Sequence, residues 1–280
     1  MTASSSKNEL LAGRTLGLLG AGNMAEALAR GIINSGAIAA RHVIASDVSP
    51  ERRALFENHL GARATDDNLA VLASGEIVVL CVKPQMVNTV VSQIAPAFNT
   101  ERHVLASICA GVSAARLEAL LPKGARVIRV MPNTPMLVGL GASAVAAGTH
   151  ATERDLDMIE ALFATGSMTV RVQEKMMDAV TGLSGSGPAY LFYLVEAMMD
   201  AGIAEGFTPE QARALSVRTV LGASKMLEAC NESPQELRRR VTSPNGTTQA
   251  AIEAMDAAGV KSHIAAAVRR AAERSRELGK

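Results

Sequence analysis

A glycine-rich segment near the start of the chain, Gly20-Ala21-Gly22-Asn23-Met24, has residue types suited to binding phosphate. Gly20 permits a tight turn, Gly22 lets the backbone approach a pyrophosphate, and Ala25 fills a third position where a small residue packs well. The phosphates would lie on unpaired N–H groups at the start of the next helix, where the helix dipole favours negative charge. A purely structural turn is the alternative.

The residues on either side of this turn favour a binding site. An apolar run at 15–19 precedes the turn, and an Ala- and Leu-rich stretch at helical spacing follows it. A second strand-like run at 43–46 ends at Asp47. Asp47 follows the turn at roughly the spacing of about 20 residues at which an acidic residue contacts the adenosine ribose. The pattern therefore predicts a dinucleotide-binding unit of strand, turn and helix.

Three further segments follow predicted strands. They are Val82-Lys83-Pro84-Gln85, Cys109-Ala110-Gly111 and Met131-Pro132-Asn133-Thr134-Pro135. Ligands of open α/β sheets bind beyond the carboxyl ends of the strands, so we expect these segments to line one site. The prolines around Asn133 and Thr134 restrict the backbone, which could present an amide and a hydroxyl to a nicotinamide carboxamide. If this segment is considered without the others, a stiff connection with an Asx turn is an equally weighted alternative.

Two segments stand out in the second half of the chain. Gly182-Leu183-Ser184-Gly185-Ser186-Gly187-Pro188-Ala189-Tyr190 contains three glycines just before a long apolar helix, with a flexible linker as the alternative interpretation. Thr242-Ser243-Pro244-Asn245-Gly246-Thr247-Thr248 also precedes a helix. Free amides at Gly246, Thr247 and Thr248, with hydroxyls beside them, could hold a small carboxylate. A capped helix start is the alternative, and we weigh the two about evenly.

The catalytic chemistry follows from the residue types in these segments. No histidine falls in them, and Lys83 is their only strong cation, better suited to holding a cofactor phosphate or ribose than to acting as a base. Oxidation of an alcohol needs a base on the hydroxyl, so the pattern argues against it. Reduction of a carbon–nitrogen double bond fits, because a protonated imine already carries positive charge and needs mainly positioning. The Thr248 hydroxyl near the nitrogen would orient the imine and stabilise the forming amine.

The apolar pattern predicts the elements that position these segments. Strand-like runs alternate with helical stretches up to residue 172, which predicts an α/β fold with a Rossmann-type, doubly wound parallel sheet. Beyond 172 the pattern predicts helices alone. We therefore expect a flexible tail at 1–14, a dinucleotide-binding domain at 15–172 and an all-α domain at 173–280.

The predicted strands are 15–19, 43–46, 77–82, 104–108, 127–130, 140–147 and 168–172. The predicted C-terminal helices are 174–181, 189–205, 209–229, 234–241, 248–258 and 261–278. Residues typical of helix starts are Ser49, Ser113, Thr152, Thr208 and Ser233.

The composition argues against several classes of partner. A formal charge of +1 argues against binding to nucleic acid or to anionic membranes. With 2% aromatic residues and no Trp, the chain also lacks the aromatic side chains on which the bases of a single strand stack. Three scattered cysteines are typical of buried thiols in a reducing compartment, and five histidines without ligand spacing predict no metal site. The start of the chain lacks the long apolar core of a secretory signal, and prolines and glycines interrupt the uncharged stretch 130–149. We therefore expect a soluble, cytoplasmic protein.

Five of the segments together resemble the motifs of one enzyme family, the pyrroline-5-carboxylate reductases. They are 20–24, 82–85, 131–135, 184–190 and 242–248, which occur in the family's order. Each motif alone is modest, but the last two together are highly specific. The resemblance implies an NAD(P)H-dependent imine reductase that converts 1-pyrroline-5-carboxylate to L-proline by hydride transfer, the last step of proline biosynthesis.

The resemblance also implies roles for individual residues. The cofactor-binding residues would be Gly20, Ala21, Gly22, Asn23, Met24, Ser46, Asp47, Val82, Lys83, Pro84, Ala110, Gly111, Asn133 and Thr134. The substrate would be held by Ser243, Asn245, Gly246, Thr247 and Thr248. Thr248 would be the catalytic residue, because it would bond the ring nitrogen.

The resemblance further implies a homodimer with interlocked helical domains, in which the substrate loop serves the cofactor domain of the neighbouring chain. Some family members assemble into decamers of five dimers. The cofactor expected from family habit is NADPH, with NADH as the alternative. The carboxylate of Asp47 would accept hydrogen bonds from the ribose hydroxyls and repel a 2′-phosphate, which favours NADH. Ser46, Ser49, Arg52 and Arg53 would instead favour the 2′-phosphate of NADPH.

Two other functions remain open at this point. One is another small-substrate NAD(P)-dependent reductase of the 3-hydroxy acid dehydrogenase type, which would need a lysine or histidine of the helical domain facing the nicotinamide. The other is a non-catalytic dinucleotide sensor, which would need the glycine-rich turn but not the loop at 242–248.

Overall fold

The sheet of the first half is built from eight strands. Residues 9–279 are described in the computed structural model. The strands are β1 (Leu16–Leu19), β2 (Val43–Ser46), β3 (Arg63–Thr65), β4 (Ile77–Leu80), β5 (Val104–Ser107), β6 (Arg126–Met131), β7 (Gly141–Ala147) and β8 (Ser167–Arg171). Their order in the sheet is β3-β2-β1-β4-β5-β6-β7-β8. From β1 the chain continues to β2 and β3 on one side of β1, and it then returns to β4 on the other side. This change of direction creates a crevice beyond the carboxyl ends of β1 and β4.

The Rossmann-type fold class is confirmed, with two differences from the predicted sheet. Strand β3 was not predicted, because it has only three residues and they are not an apolar run. Strand β7 pairs antiparallel with β6, although the sequence predicted a parallel sheet throughout. Only nine residues connect these two strands (132–140), and a parallel crossover needs a dozen or more.

The helices of this half cover both faces of the sheet. They are α1 (Asn23–Asn34), α2 (Pro50–Leu60), α3 (Asn68–Ser74), α4 (Val87–Ile94), α5 (Ala114–Leu120), α6 (Glu153–Phe163) and α7 (Met177–Val180). Three predicted helix starts are confirmed: Ser49 and Ser113 accept backbone hydrogen bonds, and Thr152 forms a capping box with Asp155. A π-helical turn, Thr181–Gly185, follows α7, where the sequence predicted a plain helix ending at 181.

Alternate residues of the central strands enter two separate apolar clusters. Ile77 and Val79 of β4 belong to the larger cluster, and Val78 and Leu80 belong to the other. All four side chains are completely buried. Because the strands are covered on both faces, they are continuous apolar runs, which is why the sequence located them so well.

The second half contains the helices that the sequence predicted, with bounds shifted by at most two residues. They are α8 (Gly187–Ala204), α9 (Pro209–Ala229), α10 (Pro234–Arg240), α11 (Thr247–Ala257) and α12 (Val260–Leu278). Thr208 and Gln211 form a capping box at the start of α9, and Ser233 caps α10. The Cα positions divide the described chain into two units, 9–186 with 271–279 and 187–270.

The expected tail at 1–14 needs a correction. Its first eight residues lie outside the described part of the chain, but residues 9–11 are helical. Leu11 is completely buried in the larger apolar cluster, so burial of this side chain holds residues 9–14 against the sheet domain. Across residues 9–279, no helix is long and apolar enough to span a membrane. Nor do these residues contain a group of three or more side chains suited to a metal ion.

Candidate cofactor and substrate sites

The first turn of the site is shaped by Gly20. Its φ of +99° lies in the left-handed region, and its N–H donates to the carbonyl of Ser46 at 2.9 Å. A Cβ at this position would lie 2.9 Å from the carbonyl oxygen of Cys81, the residue after β4. Only glycine fits here, because both the conformation and the close approach of the neighbouring strand exclude a side chain.

Gly22 leaves the start of α1 open to a ligand. It occupies the N-cap position without a side-chain hydrogen bond, and a Cβ built there meets no atom within 4 Å. The first N–H groups of a helix have no partner within the helix, and the dipole favours an anion beside them. The turn and helix start therefore suit the pyrophosphate of a dinucleotide.

Asp47 uses both carboxylate oxygens to hold the backbone around the turn. Oδ2 accepts from the N–H of Ala21 at 2.8 Å, and Oδ1 accepts from the N–H of Ser49 at 2.9 Å. Each oxygen retains a further lone pair for the hydroxyls of an adenosine ribose. The structure thus places Asp47 beside the glycine-rich turn, as the sequence spacing indicated.

The two arginines after Asp47 are engaged within the protein. Arg52 donates to the carbonyl of Ala21 at 2.6 Å and pairs with Glu26 at 2.8 Å. Arg53 donates through one NH2 group to the carbonyls of Asp47 and Val48. Arg52 thus holds the turn against α1, and Arg53 holds the loop after β2.

One polar group at this edge was missed by the sequence analysis. Ser46 donates its hydroxyl to the side-chain oxygen of Asn68 at 2.6 Å, and the Asn68 amide donates to Gln93 at 2.7 Å. Asn68 and Gln93 also line a surface depression with Asp66, Asp67 and Leu69. No sequence motif marks Asn68, and its position depends on β3, which the sequence did not predict.

Two more predicted segments lie at the carboxyl ends of β4 and β5. Val82, Lys83 and Pro84 follow β4, with the Lys83 side chain exposed, and Ala110 and Gly111 follow β5. Their strands are direct neighbours in the sheet, with Leu80 paired to Ser107. The structure therefore brings these residues to the same edge as the glycine-rich turn.

The thiols at this edge are not suited to acid–base or nucleophilic chemistry. Cys109 donates to the carbonyl of Val82 at 3.2 Å, and burial raises the pKa of its thiol to about 11. Burial also raises the pKa of Cys81 well above its usual value. Both thiols stay protonated near neutral pH. Cys109 is a small buried side chain as the sequence predicted, whereas Cys81 is partly buried.

Asn133 is placed at the same edge, but its amide already has two partners. Its oxygen accepts from the N–H of Ala142 at 2.8 Å, and its NH2 donates to the carbonyl of Ser184 at 3.1 Å. The side chain thus joins the loop after β6 to the start of β7 and to the π-helical turn. Thr134 follows on an exposed 3-10 turn.

The predicted substrate loop lies in the unit formed by residues 187–270. Asn245 has a φ of +57°, the only positive φ of a non-glycine residue in the described chain, and its N–H donates to Gln249 at 2.8 Å. The N–H of Gly246 donates to the carbonyl of Ser243 at 3.1 Å, so this amide is not free as the sequence predicted. Gly246 caps α11 without a side-chain bond. The loop therefore ends in a helix start whose first turn contains Thr247 and Thr248.

These features define a class of protein, the oxidoreductases that bind a nicotinamide dinucleotide on a Rossmann-type sheet and carry a helical second domain. A family model described as NADP oxidoreductase, coenzyme F420-dependent, matches residues 15–111. A second model, described as pyrroline-5-carboxylate reductase dimerisation, matches residues 174–278.

Individual proteins give the same assignment. A pyrroline-5-carboxylate reductase of Methanosarcina acetivorans is 42% identical over 265 residues, covering 95% of this chain and 98% of the relative. The solved reductase of Coxiella burnetii has a TM-score of 0.89 at 30% identity, covering 95% of this chain and 99% of that chain. A solved Plasmodium falciparum pyrroline carboxylate reductase with NADP bound has a TM-score of 0.87 at 28% identity, covering 96% and 99%.

The chain belongs to the pyrroline-5-carboxylate reductase family. It is an NAD(P)H-dependent reductase of the last step of proline biosynthesis, and it forms homo-oligomers through its helical domain. The family assignment confirms the resemblance that was found in the sequence. The alternatives of a 3-hydroxy acid dehydrogenase and of a non-catalytic sensor are thereby set aside.

Proposed function

We propose that this reductase works through the two sets of residues that its sequence singled out. In this proposal the domain at 15–172 holds NAD(P)H along the carboxyl edge of the sheet, from the turn at Gly20–Met24 to Asn133 and Thr134. The domain at 173–280 serves dimerisation, and its loop Ser243–Thr248 holds the carboxylate of 1-pyrroline-5-carboxylate. The helix start at Thr247 is the observation that carries the substrate assignment, because its unpaired amides suit a small carboxylate.

The reaction requires the protein to position the imine and the dinucleotide more than to transfer protons. The dinucleotide supplies a hydride when it is bound. Addition of a hydride to the carbon of a protonated imine gives a C–H bond and leaves the nitrogen as a neutral amine, so no protein base is consumed. Thr248 holds the ring nitrogen through its hydroxyl, and the amide of Thr247 holds the carboxylate, since the N–H of Gly246 already donates to Ser243. The protonated thiols of Cys81 and Cys109 agree with a mechanism that uses no cysteine.

The central test measures NAD(P)H oxidation by the purified protein with 1-pyrroline-5-carboxylate, together with formation of proline. Gly22→Asp should abolish turnover, since it adds a carboxylate where the pyrophosphate would lie and has open space to fit. Asn34→Asp is the matched control, because it adds the same carboxylate at an exposed position at the end of α1, near the amino ends of the strands. Full activity of Gly22→Asp would contradict the cofactor assignment.

For the cofactor we keep NADPH as the proposal and NADH as the alternative. The NADP-bound Plasmodium relative supports NADPH. The free NH groups of Arg53 also support it, whereas the Asp47 carboxylate would repel a 2′-phosphate. Comparison of kcat/KM for the two dinucleotides decides the question, and a large advantage for NADH would show that Asp47 dominates.

We also propose that the homo-oligomer is built on a dimer with interlocked helical domains. Large apolar side chains are exposed on the helices of the 187–270 unit, which supports burial against a second copy. On α8 they are Leu191, Phe192, Tyr193 and Leu194, and on α9 Leu215, Val217, Leu221, Met226 and Leu227. Light scattering on the purified protein separates a dimer from the decamer that the resemblance also allows.

A mixing experiment tests whether each loop serves its neighbour. Gly22→Asp spoils the cofactor turn, and Thr248→Asp places a carboxylate against that of the substrate. Each variant alone should be inactive. In a mixed dimer with shared sites, one site combines both changes and the other contains neither, so activity returns on mixing. If both sites lie within single chains, mixing restores nothing.

The proposed compartment is the cytoplasm, as the scattered cysteines predicted. Cys81, Cys109 and Cys230 are all free thiols, which agrees with a reducing environment. Fractionation of cells that express the chain, followed by an activity assay of each fraction, tests this proposal.

A further inference from the structure

The last turn of α12 and Gly279 pack on the loop that follows β5. Gly111 in that loop is buried and has a φ of +75°. A Cβ at Gly111 would lie 3.0 Å from the carbonyl oxygen of Ser275 and 3.2 Å from the nitrogen of Gly279. A Cβ at Gly279 would in turn overlap the carbonyl oxygen of Gly111. Two glycines that are far apart in sequence therefore allow backbone to pack directly on backbone.

A buried hydrogen bond fixes this last turn of α12. Ser275 is 2% exposed and donates its hydroxyl to Oδ1 of Asp178 at 2.5 Å. Its carbonyl accepts from the N–H of Gly279 at 3.2 Å. Asp178 belongs to α7, so this hydrogen bond joins the end of α12 to another helix of the first unit.

The other side of the β5 loop is held from the same segment of chain. Glu174, four residues before Asp178, accepts from the N–H of Ala114 at 2.6 Å, just after the loop. The same Glu174 oxygen pairs with Arg129 of β6 at 3.4 Å. The loop is thus fixed by Glu174 at its end and by the last turn of α12 over Gly111.

We propose that the last turn of α12 is a positioning element for the part of the cofactor site formed by Ala110 and Gly111, with Ser275 and Gly279 as its positioning residues. The proposal rests on the assignment of Ala110 and Gly111 to the cofactor site. Neither of these residues has a side chain that can adjust to a ligand, so their contribution depends on where the backbone is held. The turn holds it through contact with Gly111.

The consequence is a selective effect on the cofactor. Loss of the Ser275 hydroxyl, or a Cβ at Gly279, shifts the backbone at Ala110 and Gly111 and weakens dinucleotide binding. The loop Ser243–Thr248 lies on α11 and its preceding turn, so the intrinsic binding of the substrate carboxylate is not altered by the change.

The experiment compares Ser275→Ala and Gly279→Ala with the wild-type enzyme. We expect KM for the dinucleotide and its Kd, measured directly by fluorescence titration, to rise about three- to tenfold, as for one lost hydrogen bond. KM for 1-pyrroline-5-carboxylate should change little, and the melting temperature should fall by only a few degrees, about as much as one buried hydrogen bond contributes. Ser262→Ala, an exposed serine at the start of the same helix, is the control and should have no effect. Unchanged cofactor constants in both variants would overturn the proposal, and so would an equal rise in both KM values.

A third variant separates this proposal from the site assignment on which it rests. Ala110→Val adds bulk to the loop itself and should weaken dinucleotide binding if the loop lines the site. If Ala110→Val weakens binding but Ser275→Ala and Gly279→Ala do not, the role of the helix end is wrong and the site stands. If none of the three changes the Kd, the assignment of the loop to the cofactor site is wrong, and the proposal fails with it. The direct titration needs no turnover, so it does not depend on the substrate assignment.

Discussion

The carboxylate of Asp47 accepts a hydrogen bond of 2.8 Å from the backbone N–H of Ala21. This bond joins the end of β2 to the glycine-rich turn that follows β1. The residue that would contact the adenosine ribose is thus also part of the frame that shapes the pyrophosphate site. A substitution at Asp47 therefore has two effects, on the charge near the 2′ position and on the geometry of the turn.

Asp47→Asn separates these two effects, since it removes the charge and keeps an oxygen that can accept from Ala21. We expect the ratio of kcat/KM for NADPH to that for NADH to rise about tenfold, because repulsion of a 2′-phosphate is relieved. Steady-state kinetics with both dinucleotides measure this ratio. Glu51→Gln removes an exposed charge from the same stretch and should leave the ratio unchanged. A ratio that stays constant in Asp47→Asn would mean that this carboxylate does not face the ribose.

Asn245 is expected to be the position in the substrate loop most sensitive to backbone changes. Its φ of +57° is adopted readily by glycine and asparagine but costs other residues about 1 kcal/mol or more. Asn245→Gly should keep both stability and KM for the substrate, whereas Asn245→Val should raise that KM several-fold and leave the dinucleotide KM unchanged. Equal effects of the two substitutions would show that the side chain, and not the backbone conformation, determines the function of this residue.

Thr248→Ala tests the single hydroxyl assigned to the ring nitrogen. Turnover should fall by about 10²-fold or less, because the change removes one positioning hydrogen bond and no obligatory proton donor. Thr248→Ser, which retains the hydroxyl, should recover most of the loss. Thr219→Ala on α9, where the hydroxyl bonds only its own helix, is the matched control. Undiminished turnover in Thr248→Ala would remove this residue from the mechanism.

Local features of this fold could be predicted from the sequence because they depend on nearby residues. The starts of α2 at Ser49, of α6 at Thr152 and of α9 at Thr208 follow from a capping side chain and its partner three residues later. The antiparallel β7 could also have been predicted, since the short connection after β6 excludes a crossover.

Contacts between distant residues could not be predicted in the same way. The sequence placed Asn133 at the correct edge but could not show that Ser184, 51 residues away, takes its NH2 group. It gave no indication that Ser275 reaches Asp178, 97 residues away. Such pairs depend on the three-dimensional path of the chain, which no local pattern encodes.

Asn133 is therefore expected to affect stability as much as cofactor binding. Asn133→Ala would leave the N–H of Ala142 without its acceptor, and an unsatisfied group of this kind costs about 1–3 kcal/mol. Denaturant unfolding measures this loss. Thr134→Ala, at the exposed neighbouring position, should unfold like the wild-type protein. If Asn133→Ala keeps its stability but loses affinity for the dinucleotide, the nicotinamide role predicted from the sequence is favoured instead.

Glu26 should make stability depend on pH at the start of α1. Burial raises its pKa, but hydrogen bonds from Arg30 and Arg52 outweigh this and lower the pKa below its usual value. A carboxyl whose pKa is lower in the folded protein stabilises it at pH values above its unfolded pKa. That contribution is lost as the pH falls through the folded pKa. Glu26→Gln should therefore reduce the free energy of unfolding by about 1 kcal/mol at neutral pH, and the difference should vanish in acid. Urea unfolding of both proteins across this pH range measures the effect, with Glu57→Gln on the exposed face of α2 as the control. A difference that persists undiminished in acid would show that Glu26 acts through packing and not through its charge.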